Sequence, residues 1–342
     1  MTAGRITRRS ALGAGLALAA AGPARAADTL RIGLLHTLSP APLYIAMQRG
    51  WFAAEGLDAS FRFFEAAQPI AAAAVAGDID VGITALTGGF FSLAGRGTLK
   101  VIAGALHEQA GFEGNAILAS NQAYAAGLTS AAKLGGHSMG ITQYGASFHY
   151  ITGRLAETQG FDLKSVTLRP LQGIGNMLAA VRTGQVDATM AVASQAKPLA
   201  AAGEAHIIGW AGELVPYQLT AVFAPTRMLD ARADAVRAFM RAYVRGVAAY
   251  REAFLRRGTD GAPVRDATTQ AAIRDILAYV FTGDPQGPAK VLDGVGYYDE
   301  GAALDVADVS EQLRWFLSQG LVRGPIAPDE VIDTRFAAVR TP

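Results

Sequence analysis

Gly77-Asp78-Ile79-Asp80-Val81 and, 107 positions further on, Gly184-Gln185-Val186-Asp187-Ala188 share one pattern: a glycine, a polar residue, an apolar residue, an aspartate and the start of an apolar run. A glycine that closes a helix, followed at once by a buried strand, is the junction of an α/β unit. One such junction is common, so the flanking sequence decides whether this pair is a duplication. Working outward, Thr29 to Leu35 and Ser138 to Thr142 read as short buried strands. Glu55-Gly56-Leu57-Asp58 and Gln159-Gly160-Phe161-Asp162 read as helix ends, while Phe61 to Phe64 and Val166 to Leu168 read as second strands. Val101 to Gly104 and His206 to Gly209 read as fourth strands, so five blocks recur in order at offsets of 103 to 107 positions. The pattern predicts two α/β lobes facing each other across a cleft.

The length of 342 residues agrees, because it exceeds what one compact core usually holds. Expected boundaries are residues 27–112 plus 221–342 for a discontinuous first lobe and 113–220 for the second. Glu113 to Ala119 is read as the strand that leaves the first lobe, and Leu219 to Ala224 as the strand that returns. The remainder is mostly helical and is expected to pack back on the first lobe. Two crossings between two lobes make a hinge.

Residues 1–26 read as a secretory signal: a basic start at Arg5, Arg8 and Arg9, a short apolar core, and the cleavage pattern Ala24-Arg25-Ala26. Thr7-Arg8-Arg9-Ser10-Ala11-Leu12 resembles a twin-arginine export motif, with a general Sec signal as the alternative. A periplasmic location is therefore expected. Without that segment the chain carries 26 basic against 29 acidic residues, a net charge of −3, and no basic stripe that would suit nucleic acid. It has no cysteine, which excludes disulfides, thiolate catalysis and thiolate-bound metal. The five histidines show no metal-ligand spacing, and no glycine-rich phosphate or dinucleotide loop is present, so neither metal nor cofactor is expected.

The chain resembles the periplasmic substrate-binding proteins of ABC importers for aliphatic sulfonates, taurine, nitrate and thiamine-pyrimidine precursors. The resemblance rests on Thr37 to Tyr44, Glu55-Gly56-Leu57, Gly77 to Gly82, Gly145-Ala146-Ser147-Phe148-His149, Gly184 to Ala188 and the ending Gly320-Leu321-Val322. It implies a type II periplasmic-binding-protein fold, α/β, with duplicated lobes joined by a two-strand hinge. It also implies a monomer that captures a small molecule by hinge closure and hands it to a permease and its ATPase. Pyrimidine synthases of the same fold rely on a cysteine-rich iron site, which this chain lacks.

In such lobes the loops after the strands face the crevice. They supply His36, Thr37, Ser39, Tyr44, Thr84, Thr87 and Gly88 from the first lobe. From the second come Gln143, Tyr144, Ser147, His149, Ser194, Gln195, Trp210 and Glu213. Most are neutral donors and acceptors. A sulfonate-, nitrate- or taurine-like anion is favoured, held by helix N-termini or by a protonated His36 or His149. The alternative is a pyrimidine or other aromatic ligand stacked on Tyr44, Tyr144 or Trp210. Ser147 lies in a near match to the nucleophile elbow of serine hydrolases, but His149 replaces its last glycine and no later Asp and His follow in order. Ser147 is expected to cap its helix or to bind ligand, and Asp80 and Asp187 to serve structure, one per lobe.

The export motif is testable. Lysines in place of Arg8 and Arg9 should leave precursor in the cytoplasm on fractionation, whereas normal periplasmic yield would favour the Sec route.

Overall fold

The computed structural model describes Met1, residues 27–336 and residues 338–340. Apart from Met1, the expected signal segment lies outside the described residues. Thirteen strands are formed among them: β1 Asp28–Leu35, β2 Leu57–Phe64, β3 Val81–Ala85, β4 Leu99–Gly104, β5 Leu106–Glu108, β6 Asn115–Ala119, β7 Ser138–Ile141, β8 Thr167–Pro170, β9 Ala188–Val192, β10 His206–Trp210, β11 Tyr217–Gln218, β12 Thr220–Pro225 and β13 Tyr297–Tyr298. They build two five-stranded sheets of matching order, β2-β1-β3-β12-β4 and β8-β7-β9-β6-β10. The fold is the type II periplasmic-binding-protein architecture of two α/β lobes.

The central strands explain themselves. Val81–Ala85 is buried along its whole length, as a strand with helices on both faces must be. In each sheet the fourth position is filled by an antiparallel strand that arrives from the other lobe: β6 pairs with β9, and β12 lies between β3 and β4. The two crossings also pair, as β5 against β11, and β13 from the C-terminal tail adds a third strand to that hinge sheet. The tail helix Val306–Ser318 is fastened to the hinge as well. Gln312 donates to the Gln218 carbonyl at 2.8 Å, and the Gln218 N–H donates to Asp308 at 2.7 Å.

The duplicated aspartates have duplicated work. Asp80 accepts the backbone N–H of Arg31 at 2.8 Å, and Asp187 accepts the backbone N–H of Ser138 at 2.8 Å. Each bond spans 49 residues. The side chains add to this, Arg31 Nε at 3.1 Å and Ser138 Oγ at 2.8 Å. Each aspartate thus ties the third strand of its lobe to the first. The glycines before them stand at φ +89° for Gly77 and +70° for Gly184, a left-handed turn that a side chain would strain.

Burial opposes ionisation of both aspartates, but the bonds from Arg31 and Ser138 outweigh it and hold both carboxyls below their ordinary value. A depressed carboxyl stabilises the fold above its ordinary range, and that contribution is lost as pH falls through the folded value. Asp187→Asn and Asp80→Asn should each cost about 1–3 kcal/mol in denaturant titrations at pH 7, with the deficit shrinking below about pH 4. A deficit that stays constant into acid would contradict the ionic tie.

Candidate functional site

The two lobes face each other with their strand-end loops, and in this structure they touch. The Gly88 N–H of the first lobe donates to the Gly145 carbonyl of the second at 2.9 Å. Lys197, on the second-lobe helix Ala193–Ala201, pairs with Asp293 of the tail at 3.2 Å and with Glu113 of the crossing. At the other end Arg154 meets Glu311 at 3.0 Å. Trp315 of the tail packs against Gly153, where an added Cβ would stand 2.1 Å from the indole ring. Its ring also stands edge-on to His149 and Tyr150.

Where the lobes meet the first crossing they leave a small, partly open cavity of about 30 Å³, largely apolar in lining with a few polar groups. The first lobe contributes Ser39, the second contributes Ser194, and the crossing contributes Glu108, Gly114 and Asn115. Gly294, Gly296 and Tyr250 close it from the C-terminal part of the chain. Glycine is required beside the acid, because a Cβ on Gly114 would lie 2.2 Å from Glu108 Oε2.

Glu108 dominates the site. Its side chain is 1% exposed and accepts the backbone N–H of Asn115 at 3.1 Å, the Asn115 side-chain amide at 2.5 Å and the Gly212 N–H. All three partners are neutral. Burial pushes its carboxyl up to about 7, against the pull of these hydrogen bonds. Because Asn115 spends its Nδ2 on Glu108, its own Oδ1 is buried with no partner among the described residues.

Of the residues expected from the sequence, the cavity brings together Ser39 and Ser194. Gly88 serves through its backbone, as the contact between lobes. Thr87 caps the helix Gly88–Ala94 by accepting the Phe90 N–H at 3.1 Å. Thr37 accepts the Ser39 N–H at 3.3 Å and shapes the loop. Thr84 Oγ1 and Gln195 Oε1 are buried without partners among the described residues. Gln143 is half-buried in the loop before Gly145, and Glu213 is exposed and accepts the Gly111 N–H at 2.7 Å.

Several expectations need correction. Tyr44 is fully buried, donating to the Thr37 carbonyl at 3.0 Å and stacking on Tyr279 at 4.9 Å, so its ring belongs to the core. Trp210 packs against an apolar cluster of the second lobe. Tyr144 is 56% exposed, its hydroxyl bonded to the Leu168 carbonyl. His36 is exposed and meets the Tyr279 carbonyl at 2.5 Å, away from the cavity lining. His149 is not a protonated anion ligand, since burial pushes it down to about 4 and its Nδ1 accepts the Gly145 N–H at 3.1 Å. Ser147 does not cap its helix. Ala146 holds that position without a side-chain bond, and Ser147 is the first helical residue, half-buried. The histidine nearest to it along the helix is the one already engaged by Gly145.

Sequence reasoning missed Glu108, Asn115 and Tyr250. The one available signal was an acid closing the apolar run Val101 to Leu106, a place where a charge has to be explained.

The chain belongs to the NMT1/THI5-like family, whose model matches residues 38–253. Among solved structures it is similar to the alkanesulfonate-binding protein SsuA from Xanthomonas axonopodis pv. citri, bound to MOPS, with a TM-score of 0.70 at 19% identity, covering 92% of this chain and 100% of that one. The periplasmic aliphatic sulphonate-binding protein SsuA from Escherichia coli gives a TM-score of 0.67 at 17% identity, covering 92% and 94%. The periplasmic nitrate-binding protein NrtA from Synechocystis PCC 6803 gives 0.66 at 15% identity, covering 89% and 86%. No curated protein matches the chain. No helix among the described residues is long and apolar enough to cross a membrane.

The raised Glu108 carboxyl has a thermodynamic signature. A group whose folded value lies near 7 against an ordinary 4.5 adds stability that is present below about pH 4.5 and lost as pH rises through 7. Between pH 5 and pH 8 the wild type should lose about 2–4 kcal/mol more stability than Glu108→Gln, read from denaturant titrations at several pH values. Parallel pH profiles for the two proteins would refute the buried, isolated carboxyl.

Proposed function

We propose that this chain is the substrate-binding component of an ABC-type importer. It takes a small polar solute between its lobes in the periplasm and delivers it, as a monomer, to a permease driven by an ATPase. The observation that carries the reading is the small cavity at the first crossing, lined from both lobes and carrying the Glu108 carboxyl. About 30 Å³ holds one or two water-sized groups, so an organic solute enters only if the lobes separate. The three-stranded hinge supplies the pivot. Family membership and the two-lobed fold point the same way.

Binding in such a molecule is an equilibrium between separated and closed lobes, and a solute favours closure only through contacts it makes with both. The contacts between Gly88 and Gly145, and between Lys197 and Asp293, join the two lobes and support this reading. The relatives named above bind sulfonates and nitrate, which makes a sulfonate-, taurine- or nitrate-like solute the first class to examine and a pyrimidine the second. Reading Ser147 as a hydrolytic nucleophile has no geometric support, because His149 faces the Gly145 amide and Trp315.

A thermal-shift screen of ligand-stripped protein against sulfonates, taurine, nitrate, pyrimidines and aromatic acids tests the proposal. A true ligand at 100 times its dissociation constant adds about 2.7 kcal/mol of stability. Small-angle scattering with that ligand should show a smaller radius of gyration at unchanged secondary structure. A stabilising ligand that leaves the radius unchanged would argue against hinge closure, and the absence of any stabilising solute would argue against the binding role.

A further inference from the structure

The carboxyl and carboxamide oxygens at the hinge cavity, those of Glu108 and the partnerless Asn115 Oδ1, are acceptors. Tyr250, which also lines it, has its hydroxyl occupied, donating to the Gly296 carbonyl at 3.1 Å and accepting the Gly296 N–H at 3.0 Å. Ser39 and Ser194 can accept as readily as donate. No lysine or arginine is among the described residues that line the cavity, and a second acid, Glu113, stands at its edge. The nearby cation, Lys197, is already held by Glu113 and Asp293.

Other groups around Glu108 do not neutralise it. From the neighbouring elements it faces the Asn115 and Gly212 amides and the buried Tyr217. The His107 ring is turned the other way, with Nδ1 on the Glu108 backbone carbonyl and Nε2 2.8 Å from Arg340. A carboxylate with neutral partners only, next to an orphaned carbonyl oxygen, is short of a positive group with several donors. An ammonium has three donors and no acceptor, and it is close to water in size, which suits a cavity of about 30 Å³.

We propose that Glu108 and Asn115 Oδ1 form a subsite for a cationic nitrogen group, a primary ammonium or an amidinium, so that the solute carried by this protein is an amine or a zwitterion. This inference rests on the reading of the cleft as the ligand site and specifies which end of the ligand the hinge takes. An aminosulfonate would satisfy both this subsite and the anion class of the structural relatives, its sulfonate lying further out along the cleft. A plain sulfonate or nitrate placed at the hinge would meet a buried carboxylate instead of a donor.

Methylammonium and methanesulfonate, matched in size and opposite in charge, are the probes, titrated calorimetrically into the ligand-stripped exported chain at constant ionic strength. Methylammonium should bind saturably at pH 8. With the Glu108 midpoint near 7, its affinity should fall about 10-fold at pH 6, as the ionised fraction drops from roughly nine-tenths to one-tenth. Glu108→Gln should weaken it at least about 10-fold, and Asn115→Ala, which keeps the carboxylate, should weaken it several-fold. The wild-type comparison between pH 6 and pH 8 stands even if a variant folds poorly. Absence of saturable methylammonium binding, or affinity that ignores both pH and Glu108→Gln, overturns the subsite. If methylammonium fails while an anion still closes the lobes in scattering, the transport reading survives and the amine assignment alone falls.

Discussion

The first sheet cannot be completed until the chain has gone to the second lobe and come back. β12 lies between β3 and β4, and both of its edges are hydrogen-bonded there. Without it two buried strands would face each other across a gap with their backbone groups unpaired, which a core does not tolerate. The symmetric requirement holds in the second lobe, where β6 arrives from the first and fills the space between β9 and β10. Exchange of these two strands forces the crossings to run side by side, and their pairing as β5 and β11 makes the hinge. Everything at the cleft is positioned by that exchange, including Glu108 at the end of β5 and Asn115 at the start of β6.

The crossing sheet therefore has two parts to play. It joins the lobes, and its first crossing also lines the cavity, with a carboxylate buried among amides. Buried charge without a counter-ion is disfavoured, and the protein answers by letting Glu108 hold its proton near neutrality. A ligand that supplies positive charge would change that balance, and Ser39 and Ser194, one from each lobe, stand around the same cavity as Glu108. Contacts with both lobes are what the proposed closing mechanism requires. The ion pairs of Lys197 with Asp293 and of Arg154 with Glu311 lie partly in solvent and add modestly to the contact between the second lobe and the tail.

The placement of the aromatic residues shows where reading loops by position breaks down. Tyr44 and Tyr144 follow strand ends and Trp210 closes one, yet they take three different environments: the core, the surface and an apolar cluster of the second lobe. A large ring goes where the most apolar area is removed from water, and the tail decides that. Tyr279, from the tail, covers Tyr44, and Trp315, also from the tail, takes the position beside His149.

What the sequence by itself determined is the local and periodic part: helix-closing glycines at Gly77 and Gly184, the buried strands after them, and a structural role for the paired aspartates Asp80 and Asp187. Those features depend on neighbours a few residues away, or on a pattern that occurs twice, so they can be seen in a string of letters. The tertiary structure alone decided the site. Ser39, Glu108 with Asn115, Ser194 and Tyr250 come from four separate stretches of chain, and none is marked by its neighbours as a binding residue. They meet because strand exchange stacks the crossings and because the tail folds back over them. Burial then sets the charge state of Glu108, since the cost of an ion depends on what surrounds it in space and not on what precedes it in the chain.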